Sequence, residues 1–96
     1  MKKVPLTKEE AITELEQLKR ACERSYEDAR IGIEGCNVKA LLRFYGDAVE
    51  YATKARAYCD VFGTPDVCLH EKWADRFFSE AVRMSNEFYV RCSLKR

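Results

Sequence analysis

The chain has few residues that break helices and no long apolar run. Its 96 residues include only four glycines and two prolines, so the segments between these punctuating residues can be long helices. The longest apolar runs are a few residues long, far short of the roughly 20 needed to span a bilayer. The first ten residues, MKKVPLTKEE, lack the apolar core of a secretory signal. These absences predict a cytoplasmic protein with no membrane partner.

The chain also has almost no net charge. Seventeen basic residues against sixteen acidic ones give a formal charge of +1, so no overall field draws it onto nucleic acid or an acidic membrane. The hydrophobic fraction of 47% is enough to fold, but a chain this short has little room for a deep pocket beside a complete core. We therefore expect a single domain over residues 1–96 that is not an enzyme and carries no cofactor.

Three segments repeat apolar residues at the three-and-four spacing of an amphipathic helix. Thr7 and Glu10 form a capping-box pattern before the first segment, and the turns GIEGCN and FGTPD separate it from the other two. The predicted helices cover about residues 7–31, 38–62 and 65–92. Since loops this short force antiparallel neighbours, we predict an elongated, up-down-up, all-α three-helix bundle. An alternative keeps the same helices but uses the hairpin of helices two and three as a dimer interface, with helix one packed outside.

The second helix has an apolar arc of about 200° at 100° per residue, which is wide for a surface helix. Its predicted core stripe consists of Val38, Leu41, Tyr45, Ala48, Ala52, Ala55, Cys59 and Phe62. Gly46 lies inside this helix, where glycine costs about 1 kcal/mol relative to alanine. Either another helix approaches closely at Gly46, or the cost is tolerated.

Phe44, Tyr51 and Tyr58 recur every seven residues on this helix and form what we call the aromatic ridge. One interpretation places the ridge at the border of a wide core face. The other makes it a contact surface for a second subunit or a partner protein, since aromatic residues are enriched at interface hot spots. Arg56 lies within the apolar arc and either extends past the core to solvent or anchors an interface, with Asp60 four residues later available as an ion-pair partner.

The segment CDVFGTPDVCLH holds two of the five cysteines and the only histidine. Zinc needs three or four ligands that converge, whereas Cys68 and His70 lie roughly 160° apart on a helix that starts at Pro65. The odd number of cysteines and their spacing match no familiar disulfide framework. We therefore predict no metal site, core positions for Cys59 and His70, and an outward thiol at Cys68, all in a reducing compartment.

The end of the bundle that carries the first turn has a small excess of positive charge. Its candidate nucleic-acid-binding residues are Arg24, Arg30, Lys39, Arg43 and Arg91. The leading interpretation is nevertheless a small cytoplasmic module that binds another protein through helix surfaces, as a homo-oligomer or as a stoichiometric inhibitor or adaptor. One form of such an inhibitor is an antagonist encoded by a phage or mobile element, such as an anti-CRISPR protein. The alternative is nucleic-acid or nucleotide binding at the basic end.

Overall fold

A computed structural model describes residues 7–93 and shows three helices, α1 (Lys8–Glu34), α2 (Val38–Phe62) and α3 (Pro65–Ser93). Each helix packs against both others, so the bundle closes within one chain and the predicted all-α three-helix bundle is confirmed. It is elongated, with extents of 51 × 22 × 20 Å. None of the three helices combines the length and apolarity that a membrane span requires.

Local capping residues set most of the helix ends. The Thr7 hydroxyl accepts a hydrogen bond from the Glu10 backbone N–H, while the Glu10 carboxylate accepts one from the Thr7 N–H, each at 3.1 Å. The Asn37 side chain accepts from the backbone N–H of Lys39 at the start of α2. Gly63 ends α2 in the left-handed conformation, with φ of 63°, which glycine adopts without a steric penalty. These ends agree with the sequence prediction.

The first turn differs from the prediction because Gly32 remains within α1, which continues to Glu34. A Cβ atom on Gly32 would lie 3.1 Å from the Cβ of Ala40, so this glycine lets α1 and α2 approach closely. The left-handed residue of the turn is Cys36, with φ of 55°. Few side chains adopt that conformation, and here the same residue is tied to α3 through a disulfide.

The core runs the length of the bundle. Its buried residues are Ala11, Leu15, Cys22, Ser25, Ala29 and Ile33 of α1; Leu41, Phe44, Ala48, Tyr51, Ala55 and Tyr58 of α2; and Val67, His70, Ala74, Ala81 and Met84 of α3. The three-and-four spacing predicts a core stripe on α1 of Ala11, Leu15, Leu18, Cys22, Ser25 and Ala29, and one on α3 of His70, Ala74, Phe77, Ala81, Met84, Phe88 and Cys92. All of these residues are buried or partly buried.

The predicted stripe of α2 is wrong by about 50° around the helix axis at 100° per residue. Of that stripe only Leu41, Ala48 and Ala55 are fully buried. The ridge rings take the remaining core positions, because a buried aromatic ring removes a large apolar area from water. The other residues of the predicted stripe are exposed (Val38) or only partly buried (Tyr45, Ala52, Cys59 and Phe62).

Candidate functional site

The aromatic ridge lies inside the bundle. Phe44 and Tyr51 are completely buried, and Tyr58 is 5% exposed. The Phe44 ring contacts Tyr26 of α1 and Phe77 of α3 edge-on, with centroid distances of 5.5 and 6.3 Å. The ridge therefore has no exposed surface to offer a partner. Its interpretation as a contact surface is corrected to a core role, between α1 on one side and α3 on the other.

A buried polar contact links α2 to α3 at the middle of the core. The Tyr51 hydroxyl and the Nδ1 atom of His70 are hydrogen-bonded, 2.5 Å apart, and the Trp73 ring packs edge-on against the imidazole at 5.0 Å. Burial lowers the pKa of His70 and raises that of Tyr51, because removal from water penalises the charged form of each group. His70 is thus a core residue, as the sequence predicts, and its hydrogen bond satisfies two groups that would be costly to bury unpaired.

A second polar cluster links α1 to α2 at the bundle's surface. The Glu14 carboxylate accepts hydrogen bonds from the Lys54 ammonium and, at 2.8 Å, from the Tyr58 hydroxyl. The hydrogen bond from Lys54 lowers the pKa of Glu14. Burial, followed by the bond to Glu14, raises the pKa of Tyr58 to about 12. Lys54 and Tyr58 of α2 both donate to Glu14 of α1, and Lys54 also pairs with Glu50 at 3.4 Å, which marks the cluster as an inter-helix link.

Four of the five cysteines form disulfides, so the prediction of reduced thiols is wrong for those four. Cys36 pairs with Cys92 and Cys59 pairs with Cys68, with Cα–Cα distances of 5.9 and 4.7 Å. Cys22 is free and buried, and burial raises its pKa to about 12. Cys68 was predicted to point outward because it lies far from the core stripe of α3. In fact Cys68 lies on the flank beside the last turn of α2, within bonding reach of Cys59.

The Cys59–Cys68 disulfide also bears on metal binding. The sulfur atoms of these two cysteines and a carboxylate oxygen of Glu71 lie within 4.8 Å of one another. Metal ions bind thiolates, and the disulfide leaves neither sulfur as a thiolate. His70 points away from this group into the core, toward Tyr51, so the predicted divergence of Cys68 and His70 holds.

An exposed apolar surface lies instead along one side of the hairpin formed by α2 and α3, and we call it the α2–α3 face. Its residues are Val38, Leu42 and Val49 of α2 and Phe78, Val82 and Tyr89 of α3, with exposed fractions between 37% and 66%. Each set shares one side of its helix by spacings of four, seven or eleven residues. The two disulfides and a contact between the rings of Tyr45 and Phe78, at 5.7 Å, fix the antiparallel register that sets the two rows side by side.

Gly46 lies in the middle of the α2 row. It is exposed, and no atom lies within 4 Å of a Cβ built on it. Spacings of four, three and four join Leu42, Gly46, Val49 and Thr53 into one outward line without a charge. On α3 the neighbouring positions, Ser85 and Asn86, are also uncharged. The apolar surplus predicted for helix two is therefore present, but it consists of different residues from the aromatic ridge.

Arg56 lies on the same side of α2, beyond the uncharged stretch. It is exposed, and within the described residues no ion pair joins it to Asp60, contrary to the expected pairing. Arg56 therefore extends to solvent at one end of the α2–α3 face, and its role as an interface anchor stays a prediction.

The arginines and the lysine of the basic end are all exposed, but carboxylates alternate with them. Arg30 pairs with Glu27 at 2.9 Å, and Arg91 pairs with Glu87 at 3.6 Å. Along α1 the surface groove that contains Arg24 is also lined by Glu23, Glu27 and Asp28.

The two remaining candidates, Lys39 and Arg43, line a shallow groove of about 360 Å³ between α1 and α2 together with Asp28. The structure thus gathers these cations at one end of the bundle but does not join them into a continuous basic surface. Such a surface is the usual mark of nucleic-acid binding.

No family model, curated protein or solved structure matches this chain.

Proposed function

We propose that this protein is a small helical module that binds another protein chain through the α2–α3 face. The observation that carries the proposal is the exposure of six large apolar side chains in two adjacent rows with no charge in the central stretch. Monomeric proteins rarely expose contiguous apolar patches larger than a few hundred Å², and patches of that size often mark interaction sites.

The construction of the hairpin supports this proposal. Cys36, in the turn two residues before α2, pairs with Cys92 of α3, and Cys59–Cys68 joins α2 to α3 near the other end of the hairpin. The face between them is therefore held in one register before any partner arrives. A preorganised surface loses less conformational entropy on binding, so more of its apolar contact contributes to affinity.

The predicted roles of stoichiometric inhibitor and adaptor both suit such a rigid surface, because each acts by occupying a partner. The narrower identity of a phage-encoded antagonist, such as an anti-CRISPR protein, rests on the sequence interpretation alone. The disulfides weigh against the predicted cytoplasmic location, since the cytosol keeps most thiols reduced. We propose an oxidising compartment, and alkylation of unreduced protein taken from its native cell tests this: only Cys22 is expected to be available in the unfolded chain.

The binding proposal is tested with a charge placed on the face and an equal charge placed off it. Leu42→Lys alters the middle of the face, where the native side chain is 63% exposed. Val61→Lys is the matched control, because Val61 is 62% exposed in the last turns of α2, away from the uncharged stretch. Neither change removes a buried group, so both variants are expected to fold, as circular dichroism will show.

Each tagged protein is incubated with extract from the native cell, and the captured proteins are quantified by mass spectrometry. We expect at least one protein to be retained equally by the wild type and Val61→Lys but reduced about tenfold or more with Leu42→Lys, because an interface core disfavours an unpaired charge. If all three capture the same proteins in the same amounts, the α2–α3 face is not the binding surface.

A further inference from the structure

We propose that the chain which occupies the α2–α3 face is a second copy of this protein, and that the two α2 helices pack antiparallel about a two-fold axis at Gly46. This inference rests on the proposed function and names the partner at that surface. Three observations carry it: the open glycine, the order of charges around it, and the size of the face.

Gly46 is the point where a second helix can come closest. The chain itself packs nothing over this position, so the glycine has no role in the internal packing of the bundle. It nevertheless lowers helix propensity in the interior of α2. Where two helices cross, the absence of a side chain allows the backbones to approach, as Gly32 already does between α1 and α2 in this chain.

The residues around Gly46 are complementary to themselves in the antiparallel direction. Arg43 precedes Gly46 by three residues and Glu50 follows it by four; both are exposed, and they share one side of α2 because they are seven residues apart. Within the chain Glu50 also pairs with Lys54 at 3.4 Å, and as an exposed carboxylate it can accept a second cation from a partner. In an antiparallel pair, Arg43 of each chain lies level with the partner's Glu50. A parallel pair would instead set arginine beside arginine and glutamate beside glutamate, which is unfavourable.

The apolar residues follow the same symmetry. Leu42 precedes Gly46 by four residues and Val49 follows it by three, again seven apart on one side of the helix. The antiparallel pairing sets Leu42 against the partner's Val49 twice, once on each side of the axis. A two-fold interface requires this kind of self-complementary surface.

The size of the face sets the expected strength. The outward line of uncharged positions that begins at Val38 and ends at Thr53 is about 23 Å long at 1.5 Å per residue, and the bundle is about 20 Å wide. Two such faces bury roughly 900 Å² in total, close to the ~1,000 Å² that marks the lower limit of specific interfaces. We therefore expect a reversible dimer with a dissociation constant in the micromolar range, which sedimentation over a wide concentration range will resolve.

The test combines a charge exchange with a crosslink. Arg43→Glu and Glu50→Arg each set like charges against one another in the antiparallel dimer and should weaken it about tenfold. The double exchange restores opposite charges and should return the dissociation constant to near its original value. Arg20→Glu on α1, an exposed position away from the face, makes the same charge change and serves as the control that leaves dimerisation unchanged.

Gly46→Cys tests the position of the axis, since a Cβ there meets open space and the fold is retained. Mild oxidation should join two chains through this cysteine, whereas Thr13→Cys on the exposed surface of α1 should not form the crosslink. A dimer restored by the double exchange and crosslinked at position 46 supports the inference.

A chain that sediments as a monomer up to millimolar concentration overturns the inference. A dimer whose dissociation constant is unchanged by Arg43→Glu and Glu50→Arg overturns it as well. If the chain is monomeric but Leu42→Lys still loses a captured protein, the face binds a different protein and the proposed function stands. If the chain is monomeric and capture is also unchanged, both fail.

Discussion

The two disulfides should stabilise the fold by different amounts, because they close loops of very different length. Cys36 and Cys92 are 56 residues apart, whereas Cys59 and Cys68 are 9 apart. The loss of chain entropy in the unfolded state predicts about 4.2 kcal/mol from the long loop and about 2.6 kcal/mol from the short one at 25 °C. A domain of this size has a free energy of unfolding of roughly 5–14 kcal/mol, so the first bond alone supplies a large share.

The assay is urea unfolding followed by circular dichroism for the oxidised wild type and two double variants, Cys36→Ser with Cys92→Ser and Cys59→Ser with Cys68→Ser. All four cysteines are partly buried, so the local cost of serine is similar and the difference between the variants isolates the loop term. We expect the first pair to lose about 1.6 kcal/mol more than the second, with a steeper denaturant dependence because its unfolded state expands further. Equal losses, or the opposite order, would refute the reasoning from loop length.

Three further predictions concern single features of the structure. Gly46→Ala should raise the free energy of unfolding of the monomer by up to about 1 kcal/mol, measured by thermal unfolding at low protein concentration; a loss would mean that the position is packed. Burial lowers the pKa of His70 in the folded state, so as the pH falls the unfolded state is protonated at a higher pH than the folded state. The free energy of unfolding should therefore be level above about pH 7.5 and fall as the pH drops below the ordinary histidine pKa of about 6.5. Urea titrations at several pH values, compared with His70→Gln, check this, and a profile with the same slope in both proteins would contradict it. A duplex or single-stranded oligonucleotide should show no salt-dependent mobility shift at low ionic strength, since carboxylates alternate with the cations of the basic end; a shift abolished by Lys39→Glu would restore the nucleic-acid alternative.

The helix ends were predictable from sequence because they depend on residues close together in the chain. The reciprocal hydrogen bonds of Thr7 and Glu10 span three residues, and the left-handed turn at Gly63 needs no distant contact. Each signal acts within one turn of helix. The first turn was less predictable, because a glycine at position 32 is compatible both with the end of α1 and with close packing of α2 against α1. Which of these roles Gly32 has depends on Ala40 of α2, which packs against it across the interface.

The buried side of α2 could not be derived in the same way. Apolar side chains cover about 200° of this helix, and periodicity alone does not select the part that faces the core. The selection depends on two neighbours at once, with Phe44 packed between rings of α1 and α3. The signal for the exposed part was nevertheless present: Leu42 and Val49 lie seven residues apart at the opposite edge of the arc from Tyr51.

The disulfides were missed because their pairing depends on the register of the hairpin. Counting cysteines and their spacing does not define connectivity, and the phase of Cys68 relative to the core pointed away from Cys59. A signal existed in the turn between them. Cys59 precedes Gly63 by four residues and Cys68 follows Thr64 by four, so a tight antiparallel turn returns one to the level of the other. The pair Cys36 and Cys92 has no comparable local signal, as it joins positions near opposite ends of the hairpin sequence.

The two disulfides, the exposed apolar rows and the open glycine were not predicted from sequence, and all of them involve the hairpin of α2 and α3. The helices of the bundle therefore have different roles. α1 supplies apolar side chains to the core and the Glu14 link to α2, but it contributes nothing to the α2–α3 face. The hairpin of α2 and α3 is joined covalently near both ends and carries the exposed apolar rows and the open glycine between those joints. A bundle that needed only stability would gain from alanine at position 46, since a Cβ there meets open space. The proposed binding at the α2–α3 face would use these features together, since the covalent joints hold in place the exposed rows and the open glycine that lie between them.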